Sequence, residues 1–151
     1  MVEEIIVFFL AAIPIFEVRA SVPLGVIVYK LQPTVVIALS VLGSVLPVFP
    51  LLWFLNTLTE RLCRFPACDH FFTWLFTRTR SKSQLIEDFE LVGLVLFIGV
   101  PLPGTGVWTG VIAAHLLGLR WWPTFLTAAV GTTIASLIMW AASAGMISFF
   151  L

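Results

Sequence analysis

Three stretches of this chain continue without charge far longer than a water-exposed fold tolerates. Pro33 to Thr59 and Trp121 to Leu151 carry no charged residue, and Leu91 to Leu119 carries only His115. A helix rises 1.5 Å per residue, so about 20 apolar residues cross a hydrocarbon core of roughly 30 Å. Each run exceeds that length. The whole chain is 60% hydrophobic and 11% charged, whereas soluble domains carry about 25% charged residues to cover their surface. The expected class is an all-α integral membrane protein.

Several alternatives drop out at once. The formal net charge is zero, so nothing favours nucleic acid as a partner. Glu3 and Glu4 precede the first apolar run and Pro14 interrupts it, unlike a signal peptide with its basic start and small-residue end. Cys63 and Cys68 cannot make a disulfide framework. Their spacing beside Asp69 and His70 is unusual for zinc, so two free thiols are expected and no metal. No nucleophile with an evident base is present, no enzyme activity is expected, and no cofactor is called for.

Alignment of the chain on itself reveals an ordered recurrence. Residues 23–47, "PLGVIVYKLQPTVVIALSVLGSVLP", resemble residues 108–135, "WTGVIAAHLLGLRWWPTFLTAAVGTTIA". Gly25 falls on Gly110, Pro33 near Pro123, and Gly43 on Gly131. Upstream, "FLAAIPIFE" (9–17) matches "LFIGVPLPG" (96–104), with Pro14 on Pro101. The pattern predicts one membrane domain, 1–151, built by duplication: a first repeat 5–56, a linker 57–90 and a second repeat 91–151.

The linker holds Arg61, Arg64, Arg78, Arg80 and Lys82 among five acidic residues. Phe71, Phe72, Leu75 and Phe76 recur at helical spacing, which suits an amphipathic helix lying in the interface. Its basic residues place it on the cytoplasmic side.

Within each repeat the apolar start is broken. Pro14 and Pro23 flank Glu17 and Arg19, and "VPLPGTG" breaks the second half at the equivalent place; a continuous helix accommodates such residues poorly. Segments 5–30 and 91–118 are therefore expected as re-entrant helical hairpins, with full crossings as the alternative. A hairpin plus one transmembrane helix makes an odd number of crossings, so the two repeats would be inverted, a plan common in transporters. Six of the eight cations then lie inside, including Arg120, whose neighbours Trp121 and Trp122 read as an interfacial anchor.

Glu17 and Arg19 are the residues that need explaining. A lone charge at the bilayer centre costs roughly 2.5–3.5 kcal/mol on insertion scales, and such groups mark pathways or are paired. Residues two apart on a helix do not face each other, so a direct ion pair needs non-helical backbone. In "ASVPLG", Ser21 reads as a helix cap and Pro23 as a first-turn residue; in "PLPGTGVWTG", Thr105 reads as the cap. Two half-helix N-termini facing each other, with a guanidinium beside them, would suit an anion such as phosphate or carboxylate. Glu17 would be the titratable partner. His115 is expected as a packing histidine, and Gly106 and Gly110 as a site of close helix approach.

"PIFEVRASVPLG", "LGSVLP" and "PLPGTGVWTG", in this order, resemble the prokaryotic family of small multidrug export proteins. That family has an acidic-x-Arg-x-x-Ile/Val-Pro motif, matched by Glu17, Arg19 and Pro23. Its Pro-x-Pro-Gly-Thr-Gly-x-Trp-x-Gly motif is matched by Pro101, Pro103, Gly104, Thr105, Gly106, Trp108 and Gly110. Ser44 departs from it, standing where Asn is expected. The re-entrant plan is more distantly similar to the DedA/VTT membrane proteins. The resemblance implies location in a prokaryotic cell membrane; the residues expected to contact substrate are Glu17, Arg19, Ser21, Pro23, Pro101, Pro103, Gly104, Thr105, Gly106 and Trp108.

The expected function is transport or flipping of an amphiphile with an anionic, phosphate-like group, proton-coupled through Glu17. Multidrug export is the alternative within transport, and a membrane scaffold is the alternative outside it. A lipid hydrolase has little support. Partners would be membrane lipids and a second copy, because so few spanning helices leave Glu17 and Arg19 poorly shielded. Single cysteines at positions 2, 82 and 151 test the topology by impermeant labelling: 2 and 151 should label from the face opposite 82. Labelling of 2 and 82 from one face would contradict the hairpin plan.

Overall fold

A computed structural model describes residues 1–62, 77 and 84–150, excepting the side chains of 62, 84–88 and 147–150. The expected amphipathic helix of the linker, with Phe71, Phe72, Leu75 and Phe76, and the Cys63–Cys68 segment lie outside the described residues. The described elements are α1 (Val2–Ala12), α2 (Glu17–Pro23), α3 (Pro33–Val45), α4 (Val48–Leu62), α5 (Gln84–Gly99), α6 (Val107–Leu116) and α7 (Trp121–Phe150). Among the described residues there is no strand. The all-α expectation holds.

Two helical stretches are long and apolar enough to cross a bilayer, Pro33–Arg61 and Trp121–Met146. The first is α3 running into α4 through a bend at Leu46 and Pro47. Pro47 and Pro50 have no N–H to give to the preceding turn, so the helical ladder is interrupted there. The shorter apolar helices include Val107–Leu116 and the end of α5, Phe89–Gly99.

Large apolar side chains face outward as well as inward, and several hydroxyls lie inside. Phe9, Trp53, Phe54, Leu96 and Leu126 are exposed, while Ser21, Ser40, Ser44, Thr132, Ser136 and Ser143 are buried. In hydrocarbon, apolar side chains lose nothing by facing outward and polar groups must find partners inside. Thr124, Thr127, Thr132 and Ser143, on α7, find theirs by donating to the carbonyl four residues earlier. Trp121 and Trp122 are exposed, stack on each other at 4.6 Å and pack against Phe49 and Phe125.

Pro23 does not break the chain. It sits inside α2, which continues as a π-helical turn, Leu24–Val28. A proline offers no N–H to the fourth residue back, and the wider turn absorbs the missing bond. Tyr29 N–H donates to the Leu24 carbonyl at 3.0 Å. The break expected between Pro14 and Pro23 is confined to Ile13–Phe16.

α1 packs along α3, and α5 along α7. A Cβ on Gly43 would stand 2.2 Å from the Phe8 carbonyl oxygen and 3.1 Å from Ala11 Cβ. A Cβ on Gly131 would stand 3.1 Å from the Val95 oxygen and 2.8 Å from Ile98 Cβ. The register that sets Pro14 on Pro101 also sets Phe8 on Val95 and Ala11 on Ile98. Equivalent glycines therefore seat equivalent partners. Gly25 against Val7 and Gly110 against Leu94 repeat the correspondence.

Without a hydrophobic drive between helices in lipid, such close approach supplies the packing energy. Gly43→Ala and Gly131→Ala should each cost about 1–3 kcal/mol, because a backbone oxygen or a packed isoleucine lies in the way. Gly93→Ala, where a Cβ meets nothing within 4 Å, should be neutral or stabilising by up to about 1 kcal/mol. Thermal unfolding in detergent checks the ranking, and equal stability for Gly43→Ala and Gly93→Ala would contradict the packing.

Candidate functional site at the two helix breaks

A helix end leaves carbonyls or N–H groups that its own turns do not satisfy. Here the two interrupted segments satisfy each other. At the end of α1, Ile13 N–H takes the Leu10 carbonyl, and Phe16 and Glu17 N–H take that of Ile13. The Ala11 carbonyl accepts from Ser44 Oγ at 3.0 Å. The Ala12 carbonyl accepts from the indole Nε1 of Trp108, 3.2 Å away in the second half.

The reciprocal contacts come from Glu17 and Arg19. Glu17 Oε1 accepts from the backbone N–H of Trp108, in the first turn of α6, at 3.3 Å. A carboxylate there meets both an unsatisfied donor and the positive end of the helix dipole. Arg19 Nη2 donates to the Thr105 carbonyl and, at 2.8 Å, to Thr105 Oγ1. That hydroxyl in turn lies 2.8 Å from the Val100 carbonyl and 2.9 Å from that of Leu102. Among the described residues no ion pair joins Glu17 to Arg19; each grips a different part of the second break.

Local preference disfavours Glu17 on three counts. It is only 5% exposed, it is ionisable, and its φ of 44° is in the left-handed region, which costs a non-glycine residue roughly 1 kcal/mol or more. Gly106 makes room for it: φ is 149° there, and an added Cβ would stand 2.0 Å from Glu17 Oε2. A side chain at Gly106 would evict the carboxylate.

Two expected caps are not caps. α2 begins at Glu17 after Phe16, so Ser21 lies within the helix, and its Oγ donates to Ser40 Oγ at 2.8 Å. α6 is preceded by Gly106, and Thr105 ties the turn of residues 100–105 together. Glu17 does the capping instead, from the other half of the chain. That role was illegible in the sequence, because a capping residue is sought beside its own helix. Pro101 and Pro103 lie in the second break with Gly104, whose φ is 86°. Pro23 is one helical turn past Arg19, at the end of α2. Ser44, noted as a departure, meets an orphan carbonyl.

His115 Nε2 is hydrogen-bonded to Thr59 Oγ1 at 2.8 Å, as the packing reading expects. Gly110 lies against Ile98 of α5, so close approach is its use. Among the described residues no cluster of His, Cys, Asp and Glu could hold a metal ion.

The profile of the family described as "putative small multi-drug export protein" matches residues 17–138. The chain belongs to this family. The match begins at Glu17 and takes in Arg19 and the whole second break, so the charge pair and the turn it grips lie inside the family's span. Export proteins of this family are not an enzyme class. No curated protein and no solved structure matches the chain. Trp108→Phe removes one hydrogen bond across the clasp while keeping the ring. It should lower stability in detergent by about 0.5–1.5 kcal/mol, and an unchanged melting temperature would contradict the bond to Ala12.

Proposed function

We propose that this protein transports or flips an amphiphile bearing an anionic, phosphate-like group, with Arg19 as its headgroup contact and Glu17 as the carrier of a coupling proton. The observation that carries the reading is the unequal use of the two charges. Glu17 is buried and engaged by α6, whereas Arg19 is half-buried and gives only Nη2 to Thr105. Among the described residues, no acceptor meets its remaining guanidinium donors. A guanidinium with spare donors at membrane depth fits a phosphate or carboxylate in bidentate fashion.

In this reading the two halves are inverted repeats, each a re-entrant hairpin (α1–α2, α5–α6) followed by a transmembrane helix (α3–α4, α7). The recurrent glycine contacts support the duplication. The linker faces the cytoplasm of a prokaryotic cell, and a second copy shields the half-buried Arg19 from lipid. Ser21, Pro23, Pro101, Pro103, Gly104, Thr105, Gly106 and Trp108 shape the site around the two charges.

The family description favours a second reading, export of lipophilic compounds. An exporter of lipophilic cations needs an accessible carboxylate, and Glu17 is neither accessible nor free of a neighbouring cation. A scaffold role would use the charges only as glue, so a charge-neutral replacement of both would leave activity intact.

Purified protein in liposomes separates these readings. Labelled anionic lipid should cross in its presence, zwitterionic lipid and a cationic dye should not, and Arg19→Ala should reduce anionic flipping at least about ten-fold. Glu17→Gln should retain binding and change the pH dependence. Wild-type flipping by Arg19→Ala, or dye uptake without lipid movement, would overturn the proposal.

A further inference from the structure

The buried apolar residues fall into two groups. One draws Val48 and Leu52 of α4, Leu94 and Ile98 of α5, and Val107 and Val111 of α6 together with α7. The other joins Val7 of α1, Val18 and Val22 of α2 and Val36 of α3 to Ala135 of α7. α2 belongs to one group and α6 to the other, and the two helices do not pack along each other. What joins them is polar: Glu17 and Arg19 reach from α2 to Trp108 and Thr105 at the start of α6. The break tips add little packing, because Ile13, Ile15, Phe16, Val100 and Leu102 are exposed.

Within this join, the contact that depends on charge state is that of Glu17. Ionised, its carboxylate accepts the Trp108 N–H at 3.3 Å, a donor that α6 itself leaves unsatisfied, at the positive end of the helix dipole. The φ of 44° at Glu17 is disfavoured for a residue with a Cβ, so this contact holds the backbone against local preference. A proton on the carboxyl removes the charge that the dipole attracts and adds an O–H donor that needs an acceptor. The carboxyl fills the space over Gly106, where an added Cβ would stand 2.0 Å from Oε2. Arg19 keeps its charge throughout. Of the other elements around Glu17, α1 carries Glu3, Glu4 and the terminal amine at its exposed start, and α3, α7 and the second break carry no titratable group. Tyr29 and Lys30 follow the π-helical turn, and His115 lies two turns past Trp108, bonded to Thr59.

We propose that Glu17 is a proton-operated latch between the two packed groups: ionised it holds the first turn of α6, and protonated it lets go. The proton arrives at the break itself, where Glu17 keeps 5% of its surface beside exposed Phe16. Release frees Glu17 to leave its disfavoured backbone conformation and leaves α6 without its cap. The movement is confined to the two breaks, because Gly43 seats α3 on α1 and Gly131 seats α7 on α5. The latch rests on the transport reading for its use, where it gives the coupling proton a mechanical effect. Its test needs no substrate, so the two can fail separately.

Hydrogen exchange of the full-length protein, labelled with 15N-tryptophan in phosphatidylcholine nanodiscs, reads the latch directly. Trp108 reports on both sides of it, through the backbone N–H bonded to Glu17 and the indole N–H bonded to the Ala12 carbonyl; Trp108→Phe identifies its two signals. The scan runs from about pH 9 to about pH 4, the range in which protein carboxyls titrate, with rates corrected for the intrinsic pH dependence of exchange. In wild type, protection of the Trp108 amide should fall at least about ten-fold as the pH drops, as for loss of a hydrogen bond to a charged group. In Glu17→Gln it should already be low and should not change with pH. Trp140, packed against the group that holds α2, should stay protected in both, which separates release from unfolding. Protection of Trp108 in wild type that does not vary with pH overturns the latch, even if Glu17→Gln lowers it, since Glu17 is then a permanent cap. Loss at Trp140 together with Trp108 overturns it as well. An acid-released Trp108 in a protein that moves no lipid leaves the latch standing and ends the transport reading alone.

Discussion

A helix interrupted inside a packed bundle must find partners for backbone groups that water would otherwise satisfy. This requirement organises the molecule. The carbonyls at the end of α1 are met by Ser44 and by the indole of Trp108, and α6 begins on the carboxylate of Glu17. The contacts from Arg19 to Thr105 close the exchange. Each half completes the other, so neither break is self-sufficient. The arrangement converts two polar defects into the main specific contact between the halves, beyond shape-matched apolar packing.

The reciprocity is built on two unlike breaks. The register that sets Pro14 on Pro101 puts charged residues in one break and glycines in the other: Glu17 and Arg19 in the first, Gly104 and Gly106 in the second. The inequality is physically sensible. A buried carboxylate needs a cradle without side chains, which Gly106 supplies. The halves match where helices pack closely, at Gly43 and Gly131, and differ at the breaks.

Much of this was legible in the sequence and some was not. Uncharged runs announced membrane helices, and the recurrence of Gly43 at Gly131 anticipated two equivalent close approaches. Glu17, Arg19 and the second break were singled out by the cost of charge in lipid and by motif resemblance. Proline misled in one place: Pro23 suggested a helix start, but a π-helical turn absorbed it and the helix had already begun at Glu17. Ser21 and Thr105 are not caps for a related reason. Local rules assign a cap from sequence neighbours, whereas the donor–acceptor pairs here are 86 to 96 residues apart. Such long-range pairs leave no periodic trace.

The central claim is that the charges of the first break hold the second. A double-mutant cycle over Arg19→Ala and Thr105→Ala, read by unfolding in detergent, tests it most directly. The account predicts a coupling of about 1–3 kcal/mol, as for a hydrogen bond to a charged group away from water. Additivity of the two substitutions within about 0.5 kcal/mol would contradict it.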